Sequence, residues 1–146
     1  MSQLIYIPFD HLHRNFGALK NADPKQDVIV LVESARMTTG RNWHPQRLHF
    51  LISSARHFAQ LLREEGFTVE YEKAATTPDG LAKVHNKYKG HQLTCAEPSS
   101  HRQYQQLKEL GAEFVENDFF LTTRKHFFIW ADSQKSYLME TFYRAQ

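Results

Sequence analysis

The chain has 146 residues, of which 41% are hydrophobic and 23% are charged, and its 18 basic and 16 acidic residues leave a net charge of +2. This composition is typical of one globular domain, it excludes a disordered or fibrous chain, and the nearly balanced charge does not indicate direct nucleic-acid binding. No apolar stretch approaches the roughly 20 residues of a membrane span, and no secretory signal is present. The single cysteine, Cys95, excludes an internal disulfide. We therefore expect a cytoplasmic protein.

Two apolar runs and one long helical pattern open the chain. The runs at 4–8 and 28–33 predict the first two strands, and the β-branched composition of the second is typical of a strand covered on both faces. Pro45 then stands where a helix can begin. Apolar residues recur after it at three- and four-residue spacing, which predicts an amphipathic helix of about five turns, at Leu48, Leu51, Ile52, Ala55, Phe58, Ala59 and Leu62.

Three further strand patterns each follow a helical pattern that ends in a glycine. The strands are predicted at 67–72, 91–96 and 112–116, and the glycines are Gly66, Gly90 and Gly111. Glycine readily adopts the left-handed conformation that ends a helix, so we predict the same helix-to-strand joint at all three positions.

Alternating strands and helices indicate a parallel sheet with helices on both faces. We therefore predict an α/β, Rossmann-like three-layer domain with a five-stranded parallel sheet flanked by helices, spanning residues 1–146 as a single domain. The last part of the chain, 122–146, is predicted to form two short helices that break near 131–133.

Polar residues end several of the predicted strands. Ligands of open parallel sheets bind outside the carboxyl ends of the strands, near the point where the strand order reverses. Asp10 and Glu33 each end an otherwise apolar strand, and a carboxylate there can accept hydrogen bonds from a ring N–H or a ribityl hydroxyl. Capping of the following turn is the alternative role for either carboxylate.

Other kinds of site have little support in the sequence. The six glycines form neither of the phosphate-cradling loops GxxxxGK[ST] and GxGxxG, which disfavours a nucleotide-binding enzyme. The nine histidines include no His-x-x-x-His pair, so surface positions explain them better than a zinc site. Scattered basic residues, including Arg41 and Arg102, are interpreted as solvated faces, and Cys95 as a core residue.

A series of short motifs runs along the whole chain: Met1-Ser2-Gln3-Leu4, Asp10-x-Leu12, Asp23-Pro24-x-x-Asp27-Val28-Ile29-Val30-Leu31-x-Glu33, Leu51-x-x-Ser54-Ala55-Arg56-His57-Phe58-Ala59, Leu62-Arg63-x-x-Gly66, Glu97-Pro98, Asp118-x-Phe120-Leu121, Trp130 and Met139-Glu140-x-Phe142-Tyr143-Arg144. In their order and spacing they resemble the N-terminal domain of bacterial deoxyribodipyrimidine photolyase-related proteins. These are the (6-4) photolyases and cryptochromes that carry an iron–sulfur cluster.

The resemblance implies an antenna domain. In this family the domain precedes a helical region that binds FAD, ligates the cluster and takes up the DNA lesion. The antenna pigment, where known, is 6,7-dimethyl-8-ribityllumazine, so we expect that compound or a flavin here, and no FAD, iron–sulfur cluster or zinc. Carried over by position, the resemblance predicts that Asp10 and Glu33 contact the pigment and that Leu51 forms an apolar wall. The predicted site is completed by Phe9, His44 and Glu97.

Three places depart from the usual pattern of the family. Phe9-Asp10-His11-Leu12 replaces Gly-Asp-Gln-Leu, Trp43 stands where histidine is usual, and Ser99-Ser100-His101 replaces Gly-Glu and an aromatic residue. The ring of Phe9 can fill space that a flat pigment needs. The alternative prediction is therefore a pigment-free interaction module, in which Phe9 and Trp43 plug the cleft.

Eight of the nineteen aromatic residues fall at or after Phe119. The resemblance places several of them at the joint with the FAD-binding region, which this chain does not include, so we do not expect the chain to repair DNA alone. We expect an exposed apolar patch that binds a separate FAD-binding photolyase-like domain or a second copy of the chain. The alternative for Phe127 and Trp130 is that they fold back onto the sheet.

Overall fold

The computed structural model describes residues 2–146 and contains a five-stranded, all-parallel sheet flanked by helices. The strands are β1 (Gln3–Tyr6), β2 (Val28–Ser34), β3 (Thr68–Ala74), β4 (Gln92–Ala96) and β5 (Glu113–Val115). The predicted fold class is confirmed, and each strand end lies within two residues of its predicted position.

The described residues form six α-helices: α1 (Ala35–Thr39), α2 (Pro45–Glu64), α3 (Thr77–Lys87), α4 (His101–Glu109), α5 (Arg124–Asp132) and α6 (Met139–Arg144). α2 is the long helix predicted to begin at Pro45, and α5 and α6 are the two predicted C-terminal helices. Two further helices, α1 and the 3-10 helix at Gly17–Asn21, were not predicted, because five residues are too few to show a helical period.

The order of strands in the sheet is β3-β2-β1-β4-β5, so β1 lies at the centre. Leu4 of β1 is in register with Val28 on one side and with Leu93 on the other. The chain builds the sheet from β1 first toward β3 and then, after crossing back, toward β5. The strand order therefore reverses at β1, and the carboxyl end of β1 is the position at which such sheets bind ligands.

Two apolar layers bury the faces of the sheet. Successive side chains of a strand point to opposite faces, so Leu4 of β1 belongs to one layer and Ile5 to the other. The layer of Leu4 includes residues of α3 and α4, namely Leu81, Val84 and Leu107. The layer of Ile5 includes residues of α2, namely Ala55, Ala59 and Leu62. The apolar run of β2 is buried throughout, as expected of a strand covered on both faces.

The predicted left-handed joint is present at two of the three glycines. Gly66 has a φ of +91° just after α2, and Gly111 has a φ of +76° just after α4. The prediction is wrong for Gly90, whose φ is not left-handed. Here α3 has already ended before the glycine, because Tyr88 leaves the helix with φ −116° and ψ 51° while its amide still donates to the carbonyl of Val84.

α5 and α6 pack on each other through aromatic rings. The ring of Phe142 has its centroid 5.2 Å from that of Phe127 and 5.0 Å from that of Trp130. The structure thus places Phe127 and Trp130 between these helices rather than in either layer on the sheet. Arg124 ties α5 to the end of β4, with an ion pair to Glu97 at 3.2 Å and a hydrogen bond to the carbonyl of Pro98.

Large apolar side chains of α5, α6 and the segments beside them are exposed to solvent. Each is at least 57% exposed, and together we call them the C-terminal apolar surface: Phe120, Leu121, Phe128, Ile129, Tyr137, Leu138, Met139 and Tyr143. No helix within residues 2–146 combines the length and the apolar character needed to cross a lipid bilayer.

Candidate functional site

A groove of about 380 Å³ lies at the carboxyl ends of β1 and β2. This volume is within the range of small-molecule sites, roughly 300–1,000 Å³. Aromatic, aliphatic and polar side chains all line the groove: Tyr6, Phe9, Trp43, Pro8, Val32, Met37, Leu51, Asp10, Arg47, Thr77 and Gln103. The groove can therefore take a flat ring with polar edges.

Two aromatic rings of the groove are fixed by their neighbours. Phe9, just after β1, stacks on Tyr71 of β3 with the ring centroids 6.3 Å apart. Trp43, between α1 and α2, donates its indole N–H to the carbonyl of Met37 at 2.7 Å. The guanidinium of Arg47 lies 4.7 Å from the centroid of the Trp43 ring, a cation–π contact. Both rings line the groove and leave its volume open.

Asp10 and Tyr6 supply polar groups to the groove. Within residues 2–146 the Asp10 carboxylate has no hydrogen-bond or ion-pair partner, so both of its oxygens can accept hydrogen bonds from a ligand. Burial raises the pKa of the Tyr6 hydroxyl, which therefore stays protonated, and Gln103 donates to this oxygen at 3.5 Å.

Glu33 does not line the groove. Its carboxylate accepts hydrogen bonds from Tyr71 at 2.8 Å and from Arg56 at 2.9 to 3.1 Å. Burial acts to raise the pKa of this carboxyl, but the hydrogen bonds and the charges of Arg56 and Lys73 outweigh that effect and hold the pKa below its ordinary value. Tyr71 in turn packs on the ring of Phe9, which lines the groove, and a direct contact between Glu33 and a ligand stays a prediction.

The other two predicted residues also lie away from the groove. His44 precedes α2, and its Nδ1 accepts a hydrogen bond from the amide of Gln46 at 3.3 Å, so it caps the helix. Glu97 lines a separate cavity of about 270 Å³ at the ends of β4 and β5, where it pairs with Arg124. Of the six predicted residues, the structure brings three together on the groove, namely Phe9, Asp10 and Leu51.

Sequence reasoning did not identify Thr77 and Gln103 as lining residues. Thr77 begins α3 and Gln103 lies in the first turn of α4, and each of these helices follows a strand. The first turns of such helices lie at the same edge of the sheet as the strand ends, so their polar residues were a usable signal.

Two residue types that often mark active sites have other roles here. Cys95 is fully buried in the sheet, and burial raises the pKa of its thiol to about 12, which confirms the interpretation as a core residue. Within residues 2–146, no three side chains of histidine, cysteine, aspartate or glutamate lie close enough together to hold a metal ion.

Comparison with known proteins gives two findings. The family model described as "Deoxyribodipyrimidine photo-lyase-related protein" matches residues 5–146. The chain is also 31% identical, over 156 residues and 99% of its own length, to a protein of Agrobacterium fabrum named (6-4) photolyase. The match covers 31% of that relative, so the chain spans about a third of its length.

Proposed function

The chain belongs to the deoxyribodipyrimidine photolyase-related family, and from this premise we propose that it is the antenna-chromophore-binding domain of a photolyase- or cryptochrome-like protein. The ligand in this proposal is a ribityl compound, 6,7-dimethyl-8-ribityllumazine or a flavin. When bound, it supplies absorption of near-ultraviolet and blue light and transfer of the excitation to a flavin elsewhere. The chain itself carries out no repair chemistry.

The groove at the end of β1 is the observation that carries this proposal. Phe9 and Trp43 provide fixed aromatic surfaces for a flat ring, and Leu51 provides an aliphatic one. Asp10 has free oxygens for ring N–H groups or ribityl hydroxyls, and such charge-assisted hydrogen bonds are about twice as strong as neutral ones. These residues bind and orient the chromophore and exclude water from its faces.

The test is a fluorescence-anisotropy titration of 6,7-dimethyl-8-ribityllumazine and of a flavin with the purified protein. We expect both anisotropy and absorption to change on binding. Asp10→Asn is expected to weaken the binding about tenfold, since it removes about 1.4 kcal/mol of charge-assisted hydrogen bonding.

Asp132→Asn is the matched control, because Asp132 is an exposed carboxylate at the end of α5, outside the groove. If the native protein binds neither compound but Phe9→Gly does, the ring of Phe9 blocks the site, as the pigment-free alternative holds. If neither protein binds either compound, the chromophore proposal is wrong.

The C-terminal apolar surface favours a second candidate function, that of a protein-interaction module. Single exposed apolar side chains are common, but eight within 120–143 are not usual for a free surface. In this alternative we propose a separate FAD-binding photolyase-like domain as the partner, because the chain is similar to a protein named (6-4) photolyase. A second copy of the chain is the competing partner.

A further inference from the structure

Another cavity, of about 290 Å³, lies next to the groove and is lined by residues of a different chemical character. Three arginines from three separate elements line it: Arg36 of α1, Arg41 of the loop before α2, and Arg102 of α4. Thr76, Thr77 and Gln106 add neutral polar side chains, and no acidic residue lines the cavity. We call this cavity the arginine cleft.

The three arginines have no acidic partner within residues 2–146, which distinguishes them from Arg14, Arg56, Arg124 and Arg144. Asp79, in the first turn of α3, accepts a hydrogen bond from the Thr76 hydroxyl at 2.6 Å and does not line the cleft. All three side chains are exposed, so water and salt weaken their mutual repulsion, but an anion between them is attracted by each. The cleft therefore favours a multiply charged anion.

The backbone holds two of these arginines in place. The amide of Arg36 donates to the carbonyl of Ala75 at 3.0 Å, which fixes α1 against the segment before α3. Arg102 and Gln106 are one turn apart on α4, so both face the cleft from the same side of that helix. Two of the three arginines thus stand on packed elements, and Arg41 is on the loop between α1 and α2.

The arginine cleft adjoins the groove. Thr77 lines both cavities. Arg41 of the cleft lies with its guanidinium 6.0 Å from the centroid of the Trp43 ring, and that ring lines the groove. The two cavities therefore meet at Thr77, and this is where we expect a polar chain on a ring bound in the groove to enter the cleft.

We propose that the arginine cleft is a phosphate-binding subsite, and that groove and cleft together take a phosphorylated ribityl ligand of the flavin mononucleotide class. The second half of this inference rests on the proposed chromophore function, whereas the first half does not. Planar guanidinium groups donate paired hydrogen bonds to phosphate oxygens, and a phosphate monoester has enough oxygens for several arginines. An unphosphorylated ribityl compound leaves the three positive charges unpaired.

The experiment compares flavin mononucleotide with riboflavin, which has the same ring and ribityl chain without the phosphate. We expect the native protein to bind flavin mononucleotide about tenfold more tightly or better. The double variant Arg36→Gln, Arg102→Gln is expected to lose this preference while its affinity for riboflavin stays unchanged. Both side chains are exposed, so the variant is expected to fold, which a thermal melt checks.

Arg144→Gln is the matched control, because Arg144 is an exposed arginine of α6 outside both cavities. Calorimetric titration with inorganic phosphate measures the affinity of the cleft for phosphate in the absence of any ring compound. If flavin mononucleotide and riboflavin bind equally well and the double variant changes neither affinity, the phosphate subsite is refuted and the chromophore function stands. If no ring compound binds but inorganic phosphate binds to the native protein and not to the double variant, the subsite stands and the chromophore function is refuted.

Discussion

At the scale of single residues, the most fully bonded charge at the carboxyl edge of the sheet is that of Glu33. Its side chain is only 12% exposed, and it reaches partners on two other elements, Arg56 of α2 and Tyr71 of β3. A buried carboxylate is tolerated only when its oxygens are satisfied in this way. Burial and the hydrogen bond to Glu33 raise the pKa of Tyr71 to about 12, so the phenol remains a donor.

We predict that Glu33→Gln lowers the free energy of unfolding by about 1–2 kcal/mol at neutral pH, since it removes charge-assisted hydrogen bonds. The pKa of Glu33 is lower in the folded chain than its ordinary value of about 4.3 in the unfolded chain. The stabilisation is therefore fully present above that value and is lost as the pH falls through the lower folded pKa. Urea unfolding of both proteins at a series of pH values measures this effect.

Glu116→Gln serves as the control for that series, because Glu116 is an exposed glutamate just after β5. We expect the difference between the native protein and Glu33→Gln to shrink in acid, and the control to show little difference at any pH. A difference for Glu33→Gln that is the same at every pH would contradict the role given to its charge.

At the scale of elements, Gly111 and Gly90 have equally open surroundings but differ in their backbone conformation. A Cβ built on either glycine meets no atom within 4 Å, but only Gly111 has a left-handed φ. We predict that Gly111→Ala lowers the free energy of unfolding by about 1–2 kcal/mol, because a side chain strains the left-handed conformation. Gly90→Ala is predicted to change it by less than about 1 kcal/mol, with a gain in stability as the expected sign.

Thermal or urea unfolding of the two variants side by side measures the difference. Equal destabilisation by both substitutions would show that the backbone at Gly90 is left-handed after all, and that all three predicted joints are alike.

The strands and the long helix were predictable because their signals are local. The apolar run of β2 and the spacing of apolar residues in α2 each lie within one stretch of the chain, and Gly66 and Gly111 mark where helices end. The end of α3 was not predictable, because Tyr88 stops the helix by its own backbone angles before Gly90 is reached. The same limit applies to α1, which is too short for any period.

The residues of the site were predictable only where they lie at the end of a strand or in a motif that resembles the photolyase-related family. Phe9, Asp10 and Leu51 line the groove for that reason. The partners of Glu33 are 23 and 38 residues away in the sequence, so its ion pair depends on how β2, β3 and α2 pack. The arginine cleft was missed for a related reason, because Arg41 and Arg102 look like solvated charges until the fold brings them beside Arg36.

At the scale of the whole molecule, two parts of the surface differ in what they expose. The cavities at the ends of β1 and β2 are polar and aromatic, whereas the C-terminal apolar surface lies on and around α5 and α6 and includes a cavity of about 460 Å³ lined by Phe120 and Phe128. The packing of Phe127, Trp130 and Phe142 inside this pair of helices fixes which apolar side chains remain outside.

We predict that the double variant Phe128→Ser, Ile129→Ser keeps the fold and loses whatever association the C-terminal apolar surface supports. Burial of one such side chain contributes about 1.5–3 kcal/mol, so the loss of two weakens an association by about tenfold or more. Sedimentation velocity over a range of protein concentrations measures self-association, and the fluorescence of an apolar dye measures the free surface.

Phe50→Ser is the control, since Phe50 is 67% exposed on α2 and lies outside that surface. Concentration-dependent association of the native protein, lost only in the double variant, identifies a second copy as the partner. If all three proteins are monomers but the double variant alone binds less dye, the C-terminal apolar surface is free in solution, and its partner is a different protein. Indistinguishable behaviour of all three would contradict an interaction role.

The central place of β1 also sets the order in which the chain can fold during synthesis. Gln3 pairs with Gln92, so the first strand of the sheet to be made waits for its second neighbour until residue 92 has been synthesised. At a synthesis rate of roughly 5–20 residues per second, that wait is about 4–18 seconds. Gln103 follows β4 in the chain and joins the groove later still, so a ligand that needs it binds only after β4 has formed. Such a ligand therefore stabilises the finished fold by mass action and leaves its nascent intermediates unprotected.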